Sequence, residues 1–262
     1  MSRKVIFFDI DGTIITADGN IPDSAVNAIC RARENGHICV VNTGRPFSHI
    51  DPKVIAIGFD GYICSCGQRI IYNCESVFRD GLTAELCGKI VKLCRDCGVV
   101  PIYEDEEGIW YDPKCPECEV VRLTREQFVD RTVHLRCDID REDFRFDKFC
   151  VWYFEESNTA AFRRFIEKYC TVIEREGNML ELVKLGYSKQ TGIQRLIDYV
   201  KTEPENCYAI GDSTNDLPML CAVGHSIAMG NAPDAVKSVV EYTTDSINDD
   251  GLANALKHYG FI

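Results

Sequence analysis

Val5-Ile6-Phe7-Phe8 runs directly into Asp9-Ile10-Asp11-Gly12-Thr13. Four apolar residues in a row read as a short strand buried on both faces, and two carboxylates flank a single Ile at its end. Carboxylates beside buried apolar surface are costly unless something pairs with them. A divalent cation is the simplest partner, and Mg²⁺ prefers one or two carboxylates completed by phosphate oxygens. The chemistry predicted for this end of the chain is metal-assisted phosphoryl transfer.

Three further clusters fit the same site. Thr43-Gly44-Arg45 follows the apolar run Ile38-Cys39-Val40-Val41. Asp212, Asn215 and Asp216 follow a predicted strand over Cys207–Ile210, and Lys189 opens a predicted helix over 189–200. In open parallel sheets, ligands bind at the carboxyl ends of the strands. Together the clusters supply a nucleophile, a proton donor, cation ligands and donors to phosphate oxygens. Each alone has an ordinary reading: a turn or cap for the Asp residues and for Thr-Gly, a surface charge for the Lys, an acidic helix start for 212–216. Their joint occurrence in this order carries the assignment.

The elements that must position these residues alternate. A helix is predicted from Asp23 to Asn35, opened by Pro22-Asp23 and closed by Gly36, and Tyr62-Ile63-Cys64 is a third buried strand. Strand–helix–strand alternation implies a parallel sheet with right-handed crossovers. The fold class is α/β, a Rossmann-like doubly wound core. Near Gly81-Leu82-Thr83 the pattern changes. An amphipathic helix over 84–96 precedes a hairpin of Val99–Tyr103 with Ile109–Tyr111. A strand over Phe149–Phe154, a helix over Thr159–Lys168 and a second hairpin of Val172–Arg175 with Met179–Val183 follow. This is an α+β insertion over 83–185, large enough for its own core. Parallel-sheet patterning returns with the short helix Leu217–Leu220, the strand Ser226–Met229 and the helix Ala253–His258. The core is thus predicted over 1–82 and 186–262.

Composition narrows the function classes. The chain has 262 residues, 45% of them hydrophobic and 27% charged, the balance of an ordinary globular protein. A net charge of −12 argues against a general nucleic-acid surface, which needs a basic footprint. No run of 18 apolar residues is present, so no membrane span is expected. Met1-Ser2-Arg3-Lys4 leads straight into the functional strand, which a cleaved signal peptide would remove. A cytoplasmic location is expected, with the fifteen Cys as free thiols.

The four clusters resemble the motifs of the haloacid dehalogenase superfamily. Asp9-Ile10-Asp11-Gly12-Thr13 resembles the first motif and Thr43 in Asn42-Thr43-Gly44-Arg45 the second. Lys189 resembles the third, and Gly211-Asp212-Ser213-Thr214-Asn215-Asp216 the fourth. The insertion resembles the cap of the Cof-type subgroup, type IIB. The third strand ends in Ser65-Cys66-Gly67 where that subgroup often has Asn-Gly. The resemblance implies a phosphatase in which Asp9 is the nucleophile and Asp11 the general acid and base. It implies Mg²⁺ on the Asp9 carboxylate, the Asp11 carbonyl and Asp212, with Asp216 completing or supporting the shell. Thr43, Gly44, Lys189 and Asn215 would hold the phosphate, and Arg45 would touch substrate or cap. Asp11 separates this chain from the family's ion-pumping ATPases, which resemble it but carry Thr there.

Cys94-Arg95-Asp96-Cys97 and Cys115-Pro116-Glu117-Cys118 are two C-x-x-C pairs with seventeen residues between them. That spacing matches a four-thiolate structural zinc site. Core packing at the end of an apolar helix stripe is the competing reading. The expected function is an Mg²⁺-dependent phosphatase acting on a sugar phosphate or phosphorylated cofactor. A phosphomutase and a non-catalytic metabolite-binding or zinc-organised protein are the alternatives. The partner is a small phosphorylated molecule, and the sequence assigns no oligomeric state.

Overall fold

A computed structural model of the chain describes residues 3–116, 118, 119, 122, 123, 126 and 135–262. It divides into two compact units. One comprises Met1–Gly44, Ile50–Arg79 and Ser188–Ile262, the other Arg45–His49 and Asp80–Tyr187.

The first unit is built on an eight-stranded sheet. Its order is Tyr242–Thr243, His225–Ala228, Cys207–Gly211, Val5–Phe8, Ile38–Asn42, Gly61–Cys64, Arg69–Tyr72 and Glu75–Arg79. The first six strands run parallel, and the last two are joined on by antiparallel pairings, so that Arg69–Tyr72 runs opposite to the others. Val5–Phe8 is central, and all four of its residues are buried, as expected of a strand covered on both faces. Its register pairs Phe8 with Ile210 on one side and Val41 on the other. The residues that follow these three strands therefore emerge side by side at one edge.

Two helices illustrate why the sheet is covered. Asp23–Glu34 buries Ala25, Ala28, Ile29 and Ala32, at the spacing of one helical face. Lys189–Val200 buries Ile193, Leu196 and Ile197 in the cluster that holds Val40 and Ile63. Each of these Ile and Leu side chains contributes about 1.5–3 kcal/mol by leaving water. The antiparallel pair Arg69–Tyr72 and Glu75–Arg79 was not anticipated. Its turn places Asn73 and Cys74 at φ 49° and 64°, the primed-turn geometry that sequence usually announces with Asn-Gly. The helix Pro52–Ile57, capped by the Asp51 carboxylate, is also additional.

The second unit carries a six-stranded sheet. Its order is Cys170–Arg175, Met179–Lys184, Lys148–Trp152, Val100–Glu104, Ile109–Tyr111 and Leu135–Arg136. Only the last pair is parallel. Alternate strand residues point to opposite faces, and two clusters result. Tyr103, Trp110, Phe149 and Val151 pack with Cys87, Ile90, Val91, Phe162 and Ile166 of the helices Ala84–Cys97 and Thr159–Ile166. Val100, Ile102, Ile109, Cys150 and Trp152 form the other.

The described residues do not bring the two Cys-x-x-Cys pairs together as a four-sulfur cluster. Cys94 and Cys97 belong to the helix-covered cluster, whereas Cys115 and Cys118 pack against the second. Among the described residues, no three of these four sulfurs lie within 4.8 Å of one another. These side chains pack as small hydrophobic residues. All fifteen cysteines are free.

Candidate active site

Asp9 is the first residue past the central strand and continues its ladder, its N–H donating to the Ile210 carbonyl at 3.0 Å. Its side chain is buried and accepts from the Lys189 ammonium through Oδ1. Lys189 is the first residue of its helix. Ser188 caps that helix in a reciprocal capping box with Thr191, which fixes where the lysine starts. Its Nζ also donates to Asp216 Oδ1 at 2.5 Å. Asp216 is fully buried, and its Oδ2 accepts from the N–H groups of Asp212 and Ser213, each at 3.1 Å. Both oxygens of Asp216 thus brace the loop and the lysine.

Among the described residues, Asp9, Asp212 and Asp216 form the one acidic group whose oxygens lie within 4.8 Å of one another. Gly12 makes the approach to Asp212 possible. Its φ is +77°, and a Cβ there would stand 2.0 Å from Asp212 Oδ2, a double requirement for glycine. The Lys189 helix is seated by a second close approach. A Cβ on Gly192 would lie 2.4 Å from Ile63 Cγ2 and 2.9 Å from Gly67 Cα.

Burial pushes the Asp9 carboxyl up to about 7, with Asp216 and Asp11 adding repulsion against the opposing pull of Lys189. Burial likewise pushes Asp212 up to about 6, again aided by Asp216 and Asp11. Burial disfavours the Lys189 ammonium, but Asp9 and Asp216 outweigh it and hold the group charged above the usual lysine range. Three clustered carboxyl groups, those of Asp9, Asp212 and Asp216, with Asp11 adding repulsion, thus share one lysine. A cation relieves that excess, and a set of hard oxygen donors fits Mg²⁺ rather than a softer metal.

Thr43 is buried at the end of the adjacent strand. Its N–H donates to the Ile63 carbonyl at 2.9 Å, and its own carbonyl accepts from Cys66 N–H at 3.2 Å, which holds Thr43 and Gly44 at the same edge as Asp9. Asp11 is exposed in the loop that returns to Ile15. Asn215 is exposed, and its Oδ1 accepts from Ser213 Oγ at 2.6 Å. Arg45 falls with the second unit, where its Nη1 donates to the His49 carbonyl at 3.3 Å.

Two residues of the site escaped the sequence reading. Asn42 is fully buried and donates to the Lys189 carbonyl at 3.1 Å, tying the strand end to the helix start. Asn231 donates to Asp212 Oδ2 at 3.2 Å. It follows the strand His225–Ala228, so the rule that selects strand ends could have found it.

The model of the haloacid dehalogenase-like hydrolase family matches residues 6–256. The chain is 24% identical over 272 residues to the 5-amino-6-(5-phospho-D-ribitylamino)uracil phosphatase YitU of Bacillus subtilis, covering 97% of each. It is 26% identical over 266 residues to the pyridoxal phosphate phosphatase YbhA of Escherichia coli, covering 94% of this chain and 97% of that one. Among solved structures, the subclass IIB sugar phosphatase BT4131 superposes with a TM-score of 0.80 at 25% identity, covering 99% of this chain and 100% of the other. A match across nearly the whole chain, joined to an aspartate–lysine–aspartate cluster at the sheet edge, means that this chain belongs to the haloacid dehalogenase-like hydrolase family, as one of its Cof-type phosphatases.

Proposed function

We propose that this protein hydrolyses a small phosphorylated metabolite with Mg²⁺, through an aspartyl-phosphate on Asp9. The observation that carries the reading is the buried Lys189 bridge between Asp9 and Asp216, beside Asp212. Lys189 stabilises Asp9 as the carboxylate, the form that attacks phosphorus. Mg²⁺ on the Asp9 carboxylate, the Asp11 carbonyl and Asp212, with Asp216 in support, would offset the repulsion between carboxylate and phosphate. Thr43 Oγ1, Gly44 N–H and the Lys189 ammonium hold the non-bridging oxygens, with Asn215 as a further amide donor. Donors of this kind are worth roughly 3–4 kcal/mol each at an oxyanion site. Asp11 protonates the departing alcohol and then takes a proton from the water that hydrolyses the aspartyl-phosphate. Its exposure suits exchange of protons with solvent.

The Asp80–Tyr187 unit has the role of selecting the substrate, and Arg45 that of a contact to substrate or to that unit. A sugar phosphate is the leading substrate class, with phosphorylated cofactors such as pyridoxal phosphate second. The names of the related phosphatases support both. The fifteen free thiols favour a reducing, cytoplasmic setting, and no described helix is long and apolar enough to cross a membrane. Phosphate release from a panel of sugar phosphates, pyridoxal phosphate and FMN, with and without Mg²⁺, tests the proposal. Mg²⁺-dependent release from at least one compound is expected; release from none overturns it.

A further inference from the structure

The geometry points to Asn231 as the positioning residue that sets the Asp212 carboxylate for the cation, an inference that rests on the Mg²⁺-dependent reading above. The amide makes three hydrogen bonds to three separate stretches of chain. Nδ2 donates to the Gly12 carbonyl at 2.9 Å and to Asp212 Oδ2 at 3.2 Å. Oδ1 accepts from Ile247 N–H at 3.0 Å. These partners allow only one orientation of the amide. The N–H of Ile247 requires the oxygen, so the NH₂ must face the two acceptors.

The loop that carries Asn231 is itself fixed. Met229 N–H donates to the Gly211 carbonyl and Gly230 N–H to the Asp245 carbonyl, both at 2.9 Å. A Cβ on Gly230 would lie 2.5 Å from Ser246 N, so the backbone is packed too closely there to drift. Asn231 therefore joins the loop after Asp11 to the Asp212 carboxylate from a rigid base. Asp216 holds the backbone of Asp212 from the other side through the Asp212 N–H. One residue sets the position of Asp212 and the other sets the rotation of its carboxylate. Partners of this kind are typically worth 10- to 100-fold in metal affinity.

Asn231 is solvent-exposed, so its loss is expected to cost the fold little. The test is Mg²⁺ binding by calorimetry to substrate-free wild type and Asn231→Ala, with the unfolding temperature of each measured without Mg²⁺. A roughly tenfold or greater loss of affinity is expected, with the phosphatase rate recovering toward wild type as Mg²⁺ is raised. A folding defect would not recover in that way. Affinity within twofold of wild type overturns the role of Asn231 and leaves the phosphatase reading intact. A wild type that binds no Mg²⁺ overturns both. Should Asn231→Ala fail to fold, the side-chain amide resonances of Asn231 in the wild type decide. They are expected to shift with the midpoint of Mg²⁺ binding, and resonances that do not move refute the assignment.

Discussion

Lys189 and Asp9 lie 180 positions apart in the chain and meet as a buried ion pair at the edge of the first unit's sheet. Asp216 completes the bridge from a third stretch of chain. Removing one member of a buried ionic cluster leaves uncompensated charge, which costs about 3–5 kcal/mol. Lys189→Met is therefore expected to lower unfolding free energy by that order and to abolish phosphate release. Without the ammonium, Asp9 and Asp216 repel each other as carboxylates, so the loss should shrink as pH falls and they take up protons. Denaturant titrations at neutral and acid pH read this. A destabilisation that does not depend on pH would contradict it.

Asp9→Asn keeps the shape of the side chain and removes the attacking oxygen charge. Turnover should fall to background, while Lys189 keeps its bond to Asp216 and the fold persists. Mass spectrometry of acid-quenched wild type should find phosphate on the peptide containing Asp9. Near wild-type turnover in Asp9→Asn would refute the nucleophile assignment.

Asp11→Asn separates the two chemical steps. A poor leaving group needs its proton, so the loss should be larger for an alkyl phosphate than for p-nitrophenyl phosphate. Equal losses on both would count against Asp11 as the general acid.

How much of this was legible depends on the kind of interaction. The buried strands and the residues at their ends announce themselves through apolar runs stopped by Asp, Thr or Gly. Predicted and observed bounds agree for the helix Lys189–Val200, and Leu217–Leu220 is helical as expected. Contacts through backbone atoms do not announce themselves. Asn42 donating to the Lys189 carbonyl and Asn231 donating to the Gly12 carbonyl depend on which loops are neighbours, which is a property of the sheet order. Spacing alone does not place the cysteine pairs either: Cys94 and Cys97 sit in the helix-covered cluster, while Cys115 and Cys118 pack against the other.

Two glycines within helices make opposite predictions. Gly192 faces Ile63 and Gly67 at distances no Cβ can occupy, so Gly192→Ala should cost about 1–3 kcal/mol through overpacking and should lower kcat by shifting the start of the Lys189 helix. Gly88 lies exposed in Ala84–Cys97 with nothing within 4 Å of a Cβ. Gly88→Ala should raise stability by about 0.8–1.0 kcal/mol from helix propensity alone. Thermal unfolding of the two variants side by side tests both, and a Gly192→Ala protein no less stable than wild type would show that the close approach at Gly192 is not tight.

The second unit has its own acid sensitivity. Lys148 Nζ meets Glu181 Oε1 at 2.7 Å, and Arg175 Nη2 meets Glu181 Oε2 at 2.6 Å, with Glu181 and Lys148 both buried. The Lys148 charge, outweighing burial and joined by Arg175, brings the Glu181 carboxyl down to about 2 from an ordinary 4.5. A depressed carboxyl binds its proton more readily in the unfolded chain, so its stabilisation is complete above about pH 4.5 and is lost as pH falls toward 2. The shift corresponds to roughly 3 kcal/mol at neutral pH. Glu181→Gln should be less stable than wild type at pH 7 and should lose less on acidification through that window. The difference between the two proteins should therefore narrow from pH 5 to pH 2, followed by denaturant unfolding with Trp110 and Trp152 fluorescence as the probe of this unit. Parallel pH profiles for the two proteins would mean that Glu181 titrates normally and that its ion pairs add nothing to the fold.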